Sequence, residues 1–497
     1  MLVRVVDAEQ SVALDAAAIA SGIPSRALMR AAAFNAATVI CARYGDQLRR
    51  GVTIVTGPGN NGGDGWALAS ALDSAGVNVS VREIVAPRTA DSIAERGVAS
   101  GLINTHSLDC GVIVDAMLGT GSKGDLRAAI LDAAREINAA RARGSIVVAL
   151  DLPSGVNATH GATDTSVVAD VTISFGSCKR GSLVSRAACG EIVVIDVGLG
   201  AAPPQLPWLV DAAFVRTNTP RIGPDAHKGT RKSVAVVAGA EAMGGAAILA
   251  ATGALRSGVG LVKVITAPGN MPSVRSRLPE ALVAPLLDAP TAIADWADAV
   301  LIGPGLGRDD ATRAFIREVL AKWRGPVVVD ADALNAFDGG MDALRDALRG
   351  RTAIITPHPG ELSRLIGRDV QHVLDNRFDI GLQVARALGA TVLLKGTPTV
   401  VSSPDGARFV IAAGTAALAT GGSGDALGGM IVTLLAQGCA PGAAAACAAW
   451  VHGRAAELTR GVRGYRLMDV LERLPQAWSF DTPPMQYPVL ASLPALV

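Results

Sequence analysis

Aromatic residues, cysteine pairs and an excess of charge are scarce or absent in this sequence of 497 residues. Phe, Trp and Tyr together make up 3% of the chain, so smaller residues carry most of its apolar content. The formal net charge is +1, which gives no indication of a nucleic-acid surface or an acidic tail. A composition rich in Ala, Val and Gly suits α/β domains, in which helices pack closely on parallel sheets.

The cysteines are few and widely spaced. None of them forms a C-x-x-C pair, which excludes a disulfide framework and a cysteine zinc site. We therefore predict buried thiols and a cytoplasmic protein, and the acidic start of the chain argues against a signal peptide. The six cysteines are Cys41, Cys110, Cys178, Cys189, Cys439 and Cys447.

Short repeats are absent, and one uncharged stretch is long enough to mimic a membrane helix. It covers residues 426–453, but Pro441 and several glycines interrupt it. We therefore predict two buried helices of a soluble domain and no membrane association.

A proline-rich segment divides the chain near its middle. The region near residues 200–225 includes VGLGAAPPQLP, which begins at Val197, and TNTPRIGP, a composition typical of a linker. The length suits two or three domains. We predict an α/β domain over residues 1–200, a linker over 201–225 and a second α/β domain over 226–480.

The first half contains a strand, a glycine-rich loop and a helix in direct succession. We predict the strand over residues 52–55, a turn over 57–65 and the helix over 66–75. This is the unit that binds phosphates and dinucleotides, although no Walker A lysine follows the glycines. Asn60, Asn61 and Asp64 add oxygens that suit a hard cation or ribose hydroxyls. The alternative is a tight loop capped by Asn and Asp.

Polar side chains end further strands of this half. Asp115 ends the strand in VIVDAMLGTG, and Asp151 ends the strand in SIVVALDLPSG, with Ser154 just beyond. Because carboxyl ends of parallel strands share one sheet edge, where ligands bind, a site is favoured over coincidental caps. Asp151 is the best acid–base candidate, and Asp115 and Ser154 suit a cation. Lys179 is either a second charged group near the site or a solvated surface lysine.

The second half alternates strands and helices, again with polar groups at strand ends. Each of these residues has a structural alternative: His358 as a rigid loop residue, Glu361 as a helix cap and Lys395 as a carboxylate partner. Taken together they favour a site. The strand-end residues are Asp330, Asp332, Asn335, His358, Glu361, Lys395, Thr397 and Thr399, with a glycine loop at 303–307.

The most informative motif is GGSGD, residues 421–425, which runs into an apolar helix-like segment. Amides at a helix N-terminus bind anions, and glycine lets a phosphate approach the backbone. A carboxylate there suggests a base that deprotonates a hydroxyl while the amides hold a phosphate. The motif therefore predicts phosphoryl transfer with Asp425 as the base, the alternative being an N-cap.

These motifs resemble two known families. GPGNNGGDG, DAMLGTG and DLPSGV resemble the NAD(P)HX epimerase family, whose fold is Rossmann-like. The second half is similar to ADP-dependent NAD(P)HX dehydratases of the ribokinase-like superfamily. The resemblance covers nearly the whole chain, and the order of the halves is that of bacterial bifunctional repair enzymes. It implies two three-layer α/β/α domains.

For the first half, the resemblance implies epimerisation of the R and S forms of hydrated NADH and NADPH. Potassium would be held by Asn61, Asp115 and Ser154, with Asp151 near the reactive ring. One departure is Met29-Arg30-Ala31-Ala32, where the family usually has Met-Glu-x-Ala-Gly. The implied substrate contacts are Asn60, Asn61, Gly62, Gly63, Asp64, Gly119, Thr120, Gly121, Ser122, Lys123, Gly124, Asp125 and Asp151.

For the second half, the resemblance implies ADP as co-substrate and Mg²⁺ organised by Glu361 through water. Asp425 would deprotonate the C6 hydroxyl of the hydrate, whose phosphate ester then eliminates. Lys232 departs from the usual His-Lys-Gly-x-x-Gly, a change that should spare the chemistry. The implied hydrate contacts are Ala246, Gly305, His358 and Asp425, and the implied nucleotide contacts are Lys395, Gly396, Thr397, Pro398, Thr399 and Gly424.

Other functions remain open on the sequence alone. The second half suits a kinase for a small alcohol or vitamin precursor, and the first half suits a non-catalytic binding module. ADP and ATP offer the same terminal phosphoryl chemistry, so the residues do not distinguish them. We expect a homo-oligomer, because enzymes of this kind are often symmetric assemblies.

Overall fold

The computed structural model describes residues 3–104, 108–122, 124–162, 165–480 and 485–496. The chain divides into two compact units, Met1–Leu209 with Pro483–Leu496, and Val210–Thr482. The boundaries predicted at 200 and 226 stay a prediction. A helix, Ala212–Asn218, lies within the stretch expected to be a linker.

The helices and strands are numbered here along the chain. The strands are β1 Val5–Val6, β2 Val52–Thr56, β3 Val79–Glu83, β4 Val112–Ala116, β5 Ile146–Leu150, β6 Val156–Asn157, β7 Gly161–Ala162, β8 Val171–Phe175, β9 Cys178–Lys179, β10 Glu191–Ile195, β11 Trp208–Leu209, β12 Ser233–Val237, β13 Leu261–Thr266, β14 Leu282–Pro285, β15 Ala299–Ile302, β16 Val327–Val329, β17 Ala353–Ile355, β18 Thr391–Leu394, β19 Thr399–Ser402, β20 Arg408–Ile411 and β21 Val489–Leu493. The α-helices are α1 Ala8–Ala20, α2 Ser25–Leu48, α3 Asn60–Ser74, α4 Ala90–Val98, α5 Ala128–Ala142, α6 Arg180–Val184, α7 Arg186–Cys189, α8 Ala212–Asn218, α9 Gly244–Arg256, α10 Met271–Arg277, α11 Ala289–Ile293, α12 Asp310–Lys322, α13 Asp332–Asn335, α14 Met341–Leu348, α15 Pro359–Ile366, α16 Val370–Asp375, α17 Ile380–Leu388, α18 Ser423–Ala436, α19 Pro441–Glu457, α20 Leu467–Leu471 and α21 Leu474–Ala477.

The sheet of the first unit has the order β21-β10-β8-β5-β4-β2-β3. Neighbouring strands are parallel except β21, which pairs antiparallel with β10. The chain leaves β2 for β3 on one side and then crosses to β4 on the other. Such a reversal of direction opens a crevice at the carboxyl ends of the strands, where ligands bind in α/β sheets.

The strands of the first unit are apolar runs buried on both faces, as expected for a covered parallel sheet. Ile54 and Val114 belong to a core with helices α2 and α3, whereas Val55 and Ile113 belong to a second core with α5. Helices therefore cover both faces, which confirms the three-layer α/β/α arrangement. The helix expected from residue 66 begins at Asn60, so the glycine-rich segment expected to be a turn forms its first turns.

The sheet of the second unit includes the order β20-β19-β18-β17-β16-β15-β12-β13-β14. The pairs from β14 to β18 are parallel, and β19 and β20 add antiparallel strands at one end. Here the direction reverses at β12, between β13 and β15. Residues such as Val237 and Ile302 join one core with helices α12 to α17. Helices α18 and α19 cover the other face, so this unit also has three layers.

The uncharged stretch 426–453 forms two buried helices, α18 and α19, as predicted. Within the described part of the chain, no single helix is long and apolar enough to cross a membrane. Helices α1 and α2, which meet at a bend of 116°, satisfy the length and composition criteria only as a pair. The cysteines are free thiols; five are buried, and Cys41 is partly exposed.

Candidate active sites

A cavity of about 460 Å³ lies at the carboxyl ends of β2, β4 and β5 in the first unit. The structure brings together most of the residues predicted for this site. Gly62, Gly63, Gly124 and Asp125 are described but do not line the cavity, and Lys123 lies outside the described residues. The predicted residues that do line it are Asn60, Asn61, Asp64, Gly119, Thr120, Gly121, Ser122 and Asp151.

Asp151 follows β5 and has a backbone φ of 62°, a left-handed conformation that is uncommon for aspartate. Its carboxylate is in an ion pair with Lys179 and accepts a hydrogen bond from the hydroxyl of Thr120. Strained backbone of this kind persists only where surrounding contacts fix it, and such positions concentrate at functional sites. The acid–base role of Asp151 stays a prediction, and the structure places the residue in the cavity with its carboxylate held by two donors.

Lys179 is 1% exposed, so the interpretation as a solvated surface lysine is wrong. Its Nζ also donates to the carbonyl oxygens of Phe175 at 3.1 Å and Ser177 at 3.5 Å. With Asp151, these acceptors account for the three protons of the ammonium group. Lys179 therefore holds Asp151 in place and has no donor left for a ligand.

Asp115 is fully buried beneath the cavity. Its carboxylate accepts hydrogen bonds from the backbone and hydroxyl of Ser154, both at 2.7 Å, and from the amide of Met117 at 3.1 Å. Burial raises the pKa of Asp115 to about 6, and these hydrogen bonds oppose the rise. The Nδ2 of Asn61 donates to the Leu118 carbonyl at 2.9 Å, while its buried Oδ1 has no partner in the described structure.

Two further carboxylates face this cavity. Asp64 was predicted from its motif, but Asp15 on α1 was not, because no pattern in the sequence links that helix to the glycine loop. Burial raises the pKa of Asp64 well above its ordinary value, and the charges of Asp151 and Asp15 raise it further. The pKa of Asp15 is also raised by burial. The cavity therefore holds carboxyl groups in unlike environments.

In the second unit, Asp425 lies in the first turn of α18. The preceding cap, Gly422, has φ 87°, so a left-handed residue starts the helix. Burial raises the pKa of Asp425 to about 7, helped by the charges of Asp330, Asp332 and Glu361 and opposed by Lys395. An ionisation near neutral pH suits a general base.

Lys395 follows β18 and reaches the start of α18. A Cβ on Gly424 would lie 3.2 Å from its Nζ, which brings these two predicted nucleotide-binding residues together. Nζ donates to Oδ1 of Asp330 at 2.9 Å and lies 3.8 Å from Oε2 of Glu361. Burial lowers the pKa of Lys395, but these two carboxylates outweigh it and the net shift is upward. The sequence-based alternative, pairing with a carboxylate, is therefore correct in part.

Asp330 is 1% exposed, and its Oδ2 has no partner in the described structure. Sequence analysis noted it only as a polar strand end. Its signal was the carboxylate after three valines in β16, but its partner lies 65 residues further along the chain. Asp332 faces another way, accepting from the amide of Gly307 at 2.9 Å and from Nε of Arg308 at 3.2 Å.

His358 and Glu361 cap the start of α15 reciprocally. Nδ1 of His358 accepts from the amide of Gly360 at 3.0 Å, and Glu361 accepts from the amide of His358 at 2.8 Å. The pKa of His358 is lowered by burial, so the neutral imidazole is favoured. Glu361 is therefore a helix cap, as one alternative held, and its carboxylate also faces Lys395.

The remaining predicted residues of this unit fall in two loops. A Cβ on Gly305 would lie 2.8 Å from Cβ of Ala246, so these two residues meet where β12 and β15 diverge. The loop of Gly396, Thr397 and Pro398 joins β18 to β19, and the Thr399 hydroxyl donates to the Gly396 carbonyl at 3.0 Å. Gly396 and Thr397 of this loop are exposed, and their contact with a nucleotide stays a prediction.

Known proteins match this chain over both units. Residues 234–475 match the family model described as NAD(P)H-hydrate dehydratase, and residues 25–181 match that of the YjeF-related protein N-terminus. The bifunctional NAD(P)H-hydrate repair enzyme of Moorella thermoacetica is 34% identical over 91% of this chain and 92% of its own. That of Mycobacterium tuberculosis strain H37Rv is 37% identical, covering 86% and 89%.

The chain belongs to the bifunctional NAD(P)H-hydrate repair enzymes. Its first unit is the epimerase domain and its second is the dehydratase domain.

Solved structures similar to the dehydratase domain are also known. An ADP/ATP-dependent NAD(P)H-hydrate dehydratase from Bacillus subtilis, co-crystallised with ATP and Mg²⁺, is 32% identical with a TM-score of 0.48 and covers 55% of this chain and 98% of its own. A ribokinase-like superfamily protein from Enterococcus faecalis is 26% identical with a TM-score of 0.49, covering 55% and 96%.

Two departures from the family pattern have a structural account. Arg30, in place of the usual glutamate, pairs with the buried Glu95 of α4 at 2.8 Å, and Arg26 joins the same carboxylate at 2.5 Å. The helix thus keeps a charged contact with α4. Lys232, in place of the usual glycine, adopts φ 73°, a left-handed conformation that costs a non-glycine residue roughly 1–2 kcal/mol.

Proposed function

We propose that the two sites act in sequence on hydrated NADH and NADPH: the cavity of the first unit interconverts the R and S forms, and the site around Asp425 dehydrates the S form with ADP. The observation that carries the second assignment is the carboxylate with a pKa of about 7 in the first turn of a helix, beside a lysine. That arrangement joins a base to an anion site.

The chemistry of the second site follows from the leaving group. Hydroxide leaves C6 poorly, so Asp425 takes the hydroxyl proton while the oxygen attacks the terminal phosphoryl group of ADP. The phosphate ester then eliminates: the ring-nitrogen lone pair expels phosphate, and loss of a proton from C5 forms the double bond of NADH. Lys395 and the amides at the start of α18 stabilise charge on the phosphoryl group.

Mg²⁺ fits this site through water. The carboxylates of Asp330 and Glu361 lie 2.9 Å and 3.8 Å from Nζ of Lys395, and the unpartnered Oδ2 of Asp330 offers a free acceptor. Within the described residues, no group of three His, Cys, Asp or Glu side chains is arranged to hold a metal directly. Mg²⁺ usually keeps its waters and binds one or two carboxylates with substrate phosphates, whose developing charge it neutralises.

Potassium fits the floor of the first cavity. The buried Oδ1 of Asn61 lacks a partner, and the Asp115 carboxylate and the Ser154 hydroxyl supply further oxygens. Such a cation would neutralise Asp115 and hold the two loops of the crevice together. Asn61→Ala should therefore remove any dependence of epimerisation on K⁺.

Product analysis tests the proposed function directly. A mixture of R and S NADHX is incubated with the enzyme, Mg²⁺ and either ADP or ATP, and NADH absorbance is followed. We expect both epimers to be consumed, with NADH, phosphate and AMP formed from ADP. A stable phosphorylated substrate would instead identify a kinase. If the S form is consumed by the enzyme while the R form disappears only at the uncatalysed epimerisation rate, the first unit is a binding module. A homo-oligomeric state and a cytoplasmic location stay predictions.

A further inference from the structure

We propose that Asp64 and Asp151 divide the proton transfers of epimerisation, Asp64 as the acid and Asp151 as the base, with Lys179 and Thr120 as positioning residues for Asp151. This inference rests on the proposal that the first cavity is the epimerase site. It concerns which carboxyl group does what there.

Asp64 and Asp151 differ in the partners that hold their carboxyl groups. Asp151 is in an ion pair with Lys179 and accepts a hydrogen bond from Thr120, so both of its oxygens are held by donors. Lys179 has its remaining protons on the carbonyl oxygens of Phe175 and Ser177. The single described lysine of the cavity therefore has all its protons engaged, and among the causes that shift the pKa of Asp64 its opposing charge is the smallest.

Asp64 lies in the cavity among other carboxyl groups. Asp64 lies on the second turn of α3, and Asp15 reaches the same cavity from α1. The charged groups that act on Asp64 are Asp151, Asp15 and Lys179, two of them carboxylates, and Asp91 lines the cavity further along. Burial and these like charges favour the protonated form of Asp64, which is the form a general acid needs. Two carboxyl groups with such unlike surroundings form a pattern typical of paired acid–base catalysis.

The protons and bonds can be followed through the proposed epimerisation. Asp64 gives its proton to the C6 hydroxyl as the C6–O bond breaks, and water leaves. The ring-nitrogen lone pair forms a double bond to C6, and the cationic ring is stabilised by the Asp151 carboxylate. A water then adds to the opposite face of C6 and passes its proton to Asp151, which regenerates the neutral hydrate. One turnover thus moves a proton from Asp64 to Asp151, and exchange with solvent water returns it after the product leaves. The reverse reaction uses Asp151 as acid and Asp64 as base, so neither direction consumes a reagent.

The test uses the full-length enzyme without ADP and compares Asp64→Asn, Asp151→Asn and Asp15→Asn. Asp15→Asn is the matched control, because it makes the same change in the same cavity. Interconversion of R and S NADHX is measured against the rate without enzyme, with NADHX binding by calorimetry and thermal unfolding as checks on each variant. We expect Asp64→Asn and Asp151→Asn to lose about 10²–10⁴-fold in rate while still binding NADHX, and Asp15→Asn to lose less than about tenfold.

The pH profile distinguishes a proton donor from a residue that only binds. The wild-type rate should fall on the alkaline side as Asp64 loses its proton. Because the charge of Asp15 raises the pKa of Asp64, Asp15→Asn should move that fall to lower pH. An Asp64→Asn variant that epimerises within tenfold of wild type, or that simply fails to bind NADHX, would overturn the proposal, as would an alkaline fall that Asp15→Asn leaves in place. If the wild-type enzyme itself never exceeds the uncatalysed rate, the assignment of the cavity fails instead.

Discussion

The epimerase and dehydratase domains each pair a lysine with an aspartate at strand ends, but the two pairs are built for different tasks. Lys179 is 1% exposed and donates to three acceptors, one of them the proposed base Asp151. Lys395 is 21% exposed and pairs with Asp330, which is not the proposed base. The first lysine is closed to ligands, whereas the second lies open to a phosphate.

A lysine–aspartate ion pair can either include the proposed base or leave it outside the pair. In the epimerase domain, the ion pair fixes Asp151 itself. In the dehydratase domain, the carboxylate partners of Lys395 leave Asp425 with no direct bond to the lysine, and burial raises its pKa to about 7. The proposed dehydratase base can therefore exchange its proton near neutral pH, while Lys395 is the proposed contact for ADP.

The largest expected effect comes from Asp425→Asn. Loss of a general base typically costs about 10²–10⁴ in rate, so ADP-dependent dehydration of S NADHX should fall by that factor. Epimerisation by the same chain should be unchanged and serves as the control. The rate of dehydration is measured as NADH formation from S NADHX, and the rate of epimerisation as interconversion of the epimers without ADP. Near-normal dehydration by the folded variant would remove Asp425 from its role.

The rate of dehydration should change with pH in a direction that the raised pKa of Asp425 predicts. Asp425 acts as a carboxylate, and its pKa is raised to about 7, so the wild-type rate should fall as pH drops below about 7. An unshifted aspartate would hold its rate down to about pH 4. A dehydration rate that stays constant from pH 8 to pH 5, measured as kcat/KM for S NADHX, would contradict this.

Much of this comparison was predictable from local sequence, since each motif lies in one loop. Asp151 and Asp425 were identified because a carboxylate follows an apolar strand or a glycine cluster, and both strand-end sets do meet in the structure. The three-layer fold followed from alternating strands and helices. The bound of α3 was missed because glycine-rich NNGGDG has low helix propensity, which packing of Gly62 against the Gly57 carbonyl overrides.

The sequence does not predict which residues from distant parts of the chain meet in the two sites. Asp15 reaches the epimerase cavity from a position 136 residues before Asp151, and Asp330 meets Lys395 across the intervening strand β17. Nothing in either local pattern names its partner. The buried state of Lys179 was equally unreadable, because an isolated lysine at a strand end is usually solvated.

The free energy of unfolding should show how much the buried ion pair of Lys179 and Asp151 contributes, compared with an exposed pair. Lys179→Met leaves Asp151 as an uncompensated buried charge, a change that typically costs about 3–5 kcal/mol. Denaturant unfolding of the epimerase domain measures it. The matched control is Arg50→Met in the same domain, whose pair with Asp109 is exposed on both sides and should be worth less than about 1 kcal/mol. Equal losses for both variants would show that the Lys179 pair contributes no more than a surface contact.

Nucleotide binding should distinguish Lys395 from Lys179. Hydrogen bonds to charged groups are worth about 1.5–3 kcal/mol, so Lys395→Ala should weaken ADP binding roughly 10- to 100-fold. NADHX binding to the dehydratase domain should change much less. Calorimetry on the pure variant decides, with Lys322→Ala, which removes an exposed lysine paired with Glu318, as the control. Unchanged ADP affinity would make Lys395 a purely structural partner of Asp330.

The smallest expected effect concerns the end of the chain and shows which activity depends on it. Strand β21 pairs antiparallel with β10, Ile192 opposite Leu493 and Val194 opposite Ala491. A chain that ends before residue 485 would leave β10 as an unpaired edge, which costs hydrogen bonds of roughly 0.5–1.5 kcal/mol each and exposes a row of backbone groups to aggregation.

Removal of residues 485–497 should therefore lower the temperature at which epimerisation is lost by a few degrees, at about 2–4 °C per kcal/mol for a domain of this size. Dehydration should keep its thermal profile, because β21 belongs to the sheet of the epimerase domain. The same reasoning bears on a fragment that ends near Gly200: it should fold less stably than one to which residues 485–496 are joined by a flexible linker. If truncation instead lowers the thermal stability of dehydration and spares epimerisation, the strand supports the other domain and the division of the chain is wrong.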